Sequence, residues 1–297
     1  MTVACATVFL GTLYPLAVDA LGMGKISVGP PYFNAVFGPL MVPLLFLVAL
    51  GPHASWRSAS LAELLTRSRA AFAIAVIGGL GLPFALGRFS PLVALGLFLV
   101  LWIIACNFQH VRSRVALRGG APALLRQPAG YWGMHLAHLG LAVCVIGVVV
   151  SKGYETEKEV RMAQGDTLAI GGYSLRLVGL REAPGPNYSA VVGEVELSRD
   201  GKLLKVLRPE KRTYFSSQMP MTEAAIDPGL TRDIYVSIGE PLGGGAWSVR
   251  AYYKPFINWI WGGALLMALG GVLALSDRRY RRGRATAQAA AMQGAKA

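Results

Sequence analysis

The sequence predicts a polytopic α-helical membrane protein of about six transmembrane helices with an inserted all-β domain, a small antiparallel barrel or sandwich. Three observations carry that expectation. Six apolar stretches of about 17–21 residues punctuate a 297-residue chain that is 54% hydrophobic, and a hydrocarbon core about 30 Å thick asks for spans of that length. Lys and Arg gather in alternate short loops. One long polar stretch, 152–254, has the period of strands rather than helices.

The spans are expected at 2–20, 33–51, 71–87, 90–108, 132–151 and 256–275. The first has the length of a signal sequence but lacks a basic leading region and an obvious cleavage site. It reads as a helix, with Pro15 tolerated inside a packed bundle. Only Gly87, Arg88 and Phe89 separate the third and fourth spans, which predicts a tight helical hairpin.

The net charge of +13 is unevenly placed. Segments 52–70, 109–131 and 276–297 hold 13 Lys and Arg against two acids, Glu63 and Asp277. Segment 152–254 holds 14 basic and 13 acidic residues. Excess positive charge in short loops and a tail is the positive-inside pattern, so both termini are expected in the cytoplasm. Residues 21–32, 87–89 and 152–254 then lie on the opposite side. The run DRRYRR, 277–282, reads as a stop-transfer anchor against anionic lipid, and nothing in this distribution calls for nucleic acid. The expected organisation is a five-helix membrane region at 1–151, a β domain at 152–254, a last helix at 255–276 and a basic cytoplasmic tail at 277–297.

Within the polar segment, KEVRMA, DTLAI, YSLRLVGL, AVVGEVELS, LLKVLRPEK, DIYVSIG and WSVRAYYK alternate or carry β-branched residues, which predicts about seven strands. Asp200-Gly201 between two alternating runs signals a two-residue hairpin. Tyr252, Tyr253, Trp259 and Trp261 flank the return to the membrane and suit an aromatic belt. The domain contains no His, no Cys and no G-x-S-x-G, so it reads as a docking or shielding surface, and no catalytic residue is assigned. Tyr214, Phe215, Met219 and Met221 are candidate contacts because their segment lacks clean alternation; the alternative is that they fill the core. Cys5, Cys106 and Cys144 all fall in apolar spans without a CxxC pair, as small buried hydrophobes do.

Four histidines remain: His53, His110, His135 and His138. The first two sit at the cytoplasmic mouths of spans, where a solvated imidazole needs no explanation. His138 lies about 10 Å into its helix, where an ionisable group needs a protein partner. An interhelical hydrogen bond, a proton relay and haem ligation all fit. His135 and His138 stand i, i+3 on one face, so they cannot grip one iron from opposite sides. Gly133 and Gly140 thin the helix wall there, which admits either a flat macrocycle or another helix.

Longer motifs weigh on that choice. ISVGPPYFN (26–34), GMHLAHLGLAV (133–143), VRMAQGDTLAI (160–170), GPNY (185–188), PEKRTYFSSQMPMTEAAID (209–227), TRDIYVSIGE (231–240) and WSVRAYYKPFINWIWGG (247–263) occur in order across nearly the whole chain. Together they resemble the C-terminal half of CcmF-type cytochrome c haem lyase subunits. The resemblance implies a bacterial inner-membrane protein, or its organellar equivalent, with the β domain periplasmic. It implies that haem arrives as substrate from a periplasmic haem chaperone and is joined to the CxxCH cysteines of apocytochrome c. It also implies a transmembrane haem b with two histidine ligands, reduced by quinol, that keeps the delivered haem iron reduced.

One ligand position of the family carries over, and it falls on His138; His135 does not fall on one. The family's tryptophan-rich haem-handling motif, its periplasmic histidines and its second haem b histidine belong to the N-terminal half. A natural split subunit or a fragment is therefore expected, with that other half as partner. Two other readings stand beside this one. The chain is a non-catalytic scaffold docking maturation partners without a cofactor, or it is a transporter, for which GGLGLP (78–83) is the lone hint of a broken helix.

Overall fold

A computed structural model describes residues 2–54, 60–117, 122, 126–216 and 219–277. Arg118 and the arginines of the 278–284 tail, used above for topology, lie outside the described residues. The chain divides into two compact units, Met1–Ala142 with Gly263–Ala297, and Val143–Gly262.

Among the described residues, six helices are long and apolar enough to cross a membrane: α1 (Thr2–Ala20), α2 (Pro30–Leu50), α3 (Leu61–Ala85), α4 (Pro91–Leu117), α5 (Ala129–Tyr154) and α6 (Asn258–Leu275). The multi-pass architecture expected from hydropathy is thus present. Helix α3 begins ten residues before its expected span, because Ser60 caps it by accepting from the Glu63 N–H at 3.2 Å. A capped turn of good helix formers, LAELLTRSR, extends it beyond the apolar stretch. The hairpin between α3 and α4 turns at Gly87, whose φ of 87° favours glycine.

The glycines of GGLGLP do not break α3, which runs unbroken through Pro83. A Cβ at Gly79 would stand 2.8 Å from Phe98 Cα of α4, so this glycine serves close helix packing. The same logic joins α5 to α6. A Cβ at Gly133 would lie 2.5 Å from Gly270 O, and one at Gly140 would lie 2.6 Å from Met267 N. Small residues at seven-residue spacing let two membrane helices meet backbone to backbone. Of the two uses allowed for the thinned wall, approach of another helix is the one found.

The second unit contains ten strands among the described residues. One sheet runs β1-β10-β9-β8 and the other β2-β3-β4-β6-β7, with β5 also paired to β4. The first sheet comprises β1 (Thr156–Met162), β8 (Ala225–Asp227), β9 (Arg232–Pro241) and β10 (Trp247–Pro255). The second comprises β2 (Thr167–Ile170), β3 (Tyr173–Pro184), β4 (Tyr188–Arg199), β5 (Lys202–Leu207), β6 (Glu210–Tyr214) and β7 (Pro220–Glu223). Of the barrel and the sandwich, the sandwich is formed, with all pairs antiparallel. LLKVLRPEK, expected as one strand, is two, since Pro209 lacks an N–H for the ladder and stands between β5 and β6.

Strand alternation builds the core. Leu175 and Leu177, Val195 and Leu197, Ile234, Val236 and Ile238, and Val249 and Ala251 are all buried at every second position. Each large member contributes about 1.5–3 kcal/mol by leaving water. Asp200 and Gly201, with φ of 50° and 76°, form the expected tight turn between β4 and β5.

At one edge of the core, Arg232 Nε and Arg199 Nη1 donate to Tyr173 Oη at 2.9 and 3.3 Å, with both guanidinium groups over its ring. Burial disfavours ionising the phenol, yet the two cations outweigh it and hold Tyr173 below the usual tyrosine range. Asp227 behaves likewise. Burial raises it, while hydrogen bonds from Arg232 and Lys205 prevail and keep the carboxyl below its usual range. Of the expected belt residues, Tyr253 packs against the core, and Trp259 donates to Leu230 O at 2.9 Å. Trp261 is exposed.

Candidate functional site

His138 stands on α5 with its side chain half-buried. Its Nδ1–H donates to Met134 O, one turn earlier on the same helix, at 2.7 Å. A carbonyl only accepts, so this bond fixes the tautomer and leaves Nε2 with a free lone pair. That is the form in which an imidazole binds a metal, its other nitrogen being held by a second hydrogen bond. Among the described residues, His138 joins none of the ring pairs that gather the other three histidines.

Those three are drawn together. His53, in a single 3₁₀ turn (Gly51–His53) after α2, meets His110 of α4 with ring centroids 5.2 Å apart. His110 lies 5.3 Å from His135 of α5, and Tyr131 lies 4.4 Å from His135 and 5.8 Å from His110. His53 Nε2–H donates to Cys106 O at 3.0 Å. Asn107 Nδ2 donates to His135 O at 3.0 Å, and its Oδ1 accepts from His135 Nδ1, so ring and amide hold each other.

The expectation of solvated imidazoles at helix mouths is corrected here. His110 is 8% exposed and His135 3% exposed, and His53 is half-buried. Depth along each residue's own helix leaves out what the neighbouring helices bring. A signal was present: Asn107 and His110 are i, i+3 on α4, and Tyr131 and His135 are i, i+4 on α5. Polar residues repeated at helical spacing on two apolar helices mark faces that meet. No group of three or more His, Cys, Asp or Glu among the described residues is arranged to hold a metal.

On the second unit, the four candidate contact residues separate. Phe215, Met219 and Met221 are 60%, 70% and 53% exposed, so core filling does not account for them. Tyr214 is half-buried in β6 and packs edge-on against Tyr188 at 5.5 Å.

Six apolar helices and an inserted two-sheet sandwich define a class: a multi-pass membrane protein carrying one β-sandwich. Residues 153–255 match the family described as the CcmF C-terminal β-sandwich. The chain is 46% identical over 284 residues to the cytochrome c-type biogenesis protein CcmF of Pseudomonas aeruginosa, covering 94% of this chain and 42% of that protein. It is 41% identical over 283 residues to CcmF of Escherichia coli K12, covering 95% and 43%. A solved structure titled cytochrome c heme lyase CcmF superposes with a TM-score of 0.70 at 25% identity, over 93% of this chain and 44% of that one. Over nearly its whole length the chain is similar to the C-terminal half of CcmF-type proteins, and it spans less than half the length of these relatives.

Proposed function

We propose that the chain is the C-terminal part of a cytochrome c haem lyase, in which His138 provides one axial ligand of a transmembrane haem b. The observation that carries this is the Nδ1–H bond from His138 to Met134 O at 2.7 Å, which leaves Nε2 free to coordinate. His135, whose Nε2 is likewise uncommitted, does not compete for the role, because it is buried between the His110 and Tyr131 rings, 5.3 and 4.4 Å away. The second ligand then comes from a helix outside this chain, in the N-terminal half or a split subunit. Haem bound here supplies one-electron transfer, with quinol as the proposed source and reduced haem iron on its way to apocytochrome c as the use. The chain's own part is to fix one imidazole in its tautomer through Met134 O. Haem attachment to CxxCH cysteines, with haem handed on by a periplasmic chaperone, belongs to the assembled protein. The test is the spectrum of the complex carrying His138→Ala, argued in the Discussion.

The proposed layout keeps both termini cytoplasmic, the segment 152–254 in the periplasm and the 277–297 tail against the inner leaflet of a bacterial inner membrane. Loop charge supports it. A periplasm-dependent reporter inserted at Gly201, in the turn between β4 and β5, is expected to be active. Activity of a cytoplasm-dependent reporter at the same point would reverse the orientation.

Docking of maturation partners is the second reading, favoured by the exposure of Phe215, Met219 and Met221. Isolated exposed apolar residues are ordinary, but three close in sequence on a domain with balanced charge suit apolar contact with a partner. Introducing Glu at Phe215 and Met219 is expected to leave the sandwich folded and to lower retention of haem chaperone or apocytochrome c in pull-downs. Unchanged retention by a folded double variant would remove this surface from consideration.

A further inference from the structure

The described residues leave few buried side-chain atoms without a hydrogen-bond partner, and His135 Nε2 and Tyr131 Oη are two of them. Their rings lie 4.4 Å apart inside the His53–His110–His135 row. Because Nδ1–H of His135 is committed to Asn107, its Nε2 is a bare acceptor, and the residue is 3% exposed. Buried polar atoms are rarely left unpaired, since each forfeits its bond to water without a replacement. No carboxylate belongs to the row. Arg114 of α4 lies 5.9 Å from the Tyr131 ring centroid, and Asp277 after α6 accepts through Oδ2 from the Gly130 N–H, next to Tyr131 in sequence, at 3.0 Å. Cys106 of α4 contributes a carbonyl to His53. What the row requires is a small neutral molecule that donates to one atom and bonds the other.

We infer that this row is a hydrated seam: bound water satisfies His135 Nε2 and Tyr131 Oη, and links them past His110 to His53 at the end of α2. A polar chain of this kind lets protons exchange between the aqueous side and the interior of the helical unit, reaching His135 one turn from His138. The site is separate from haem ligation and rests only on the helical unit being in a membrane.

The test uses the complex assembled with the N-terminal half in lipid nanodiscs, with ¹⁵N-labelled histidine in this chain and a water-edited NMR spectrum, assigned with His53→Gln, His110→Gln and His135→Gln. Transfer of water magnetisation to His135 Nε2 is the expected result. In His110→Leu, which puts an apolar side chain in the middle of the row, transfer to His135 is expected to be lost while transfer to His53 persists. Absence of transfer to His135 in the unmodified protein overturns the seam, as does full transfer in a folded His110→Leu variant. The unmodified measurement decides the matter even if His110→Leu fails to fold. The haem spectrum of each sample separates this outcome from the ligand proposal, because His110→Leu leaves His138 in place.

Discussion

Replacing His138 with Ala is expected to remove the low-spin haem b signal from a complex assembled with the N-terminal half. Holocytochrome c yield should fall by at least about tenfold, because even residues behind a metal ligand are worth about 10–100-fold in metal affinity. The change deletes the Nε2 donor and leaves the backbone of α5 intact, since the lost bond to Met134 O is local to one turn. Added imidazole should restore part of the haem occupancy, because it returns the ligand without the tether. His135→Gln should keep the spectrum, as His135 is buried between the His110 and Tyr131 rings and apart from His138. A normal reduced-minus-oxidised spectrum in the His138 variant would make His138 a packed polar contact and leave the scaffold reading standing.

Gly140→Leu is expected to have the other large effect, and on stability rather than redox chemistry. A Cβ at this position meets Met267 N at 2.6 Å and Gly263 O at 2.8 Å, which are backbone atoms that cannot swing away. The helices must separate, at a cost above the roughly 1–3 kcal/mol of ordinary overpacking. Loss of monodisperse protein after detergent extraction measures it. Gly271→Leu is the matched control: nothing stands within 4 Å of its Cβ position, so yield should be unchanged. Equal behaviour of the two variants would mean that α5 and α6 do not meet through these glycines.

The membrane architecture was legible because length and apolar content decide it, as for α1, expected and found at residues 2–20. The core strands were legible for a related reason: Ile234, Val236 and Ile238 alternate strictly and are all fully buried. Strands β7 and β8 were not, since four and three residues, mostly exposed or half-buried, leave too short a pattern to detect. Their existence is a tertiary fact, fixed by pairing to β6 and β9. The histidine row was missed on the same ground. His53, His110 and His135 come from three separate elements, and single-helix periodicity marks a polar face without saying which other face it meets. The bond His138 makes to Met134 O lies within its own helix and is by contrast within reach of single-helix spacing.

The pairing of β1 with β10 bears on how the protein is made. Thr156 faces Tyr253 and Met162 faces Trp247, so β1 waits for a partner synthesised about ninety residues later, and long-range pairing of this kind is slow. Strand β9 joins β10 and β8 joins β9, so the whole first sheet assembles only when the chain has reached the threshold of α6. Until then, β1 offers an open edge to any extended chain nearby. Insertion of the last helix and closure of the sandwich are therefore neighbouring events in biogenesis, and a translocation pause before Trp247 would prolong the interval in which that edge is exposed.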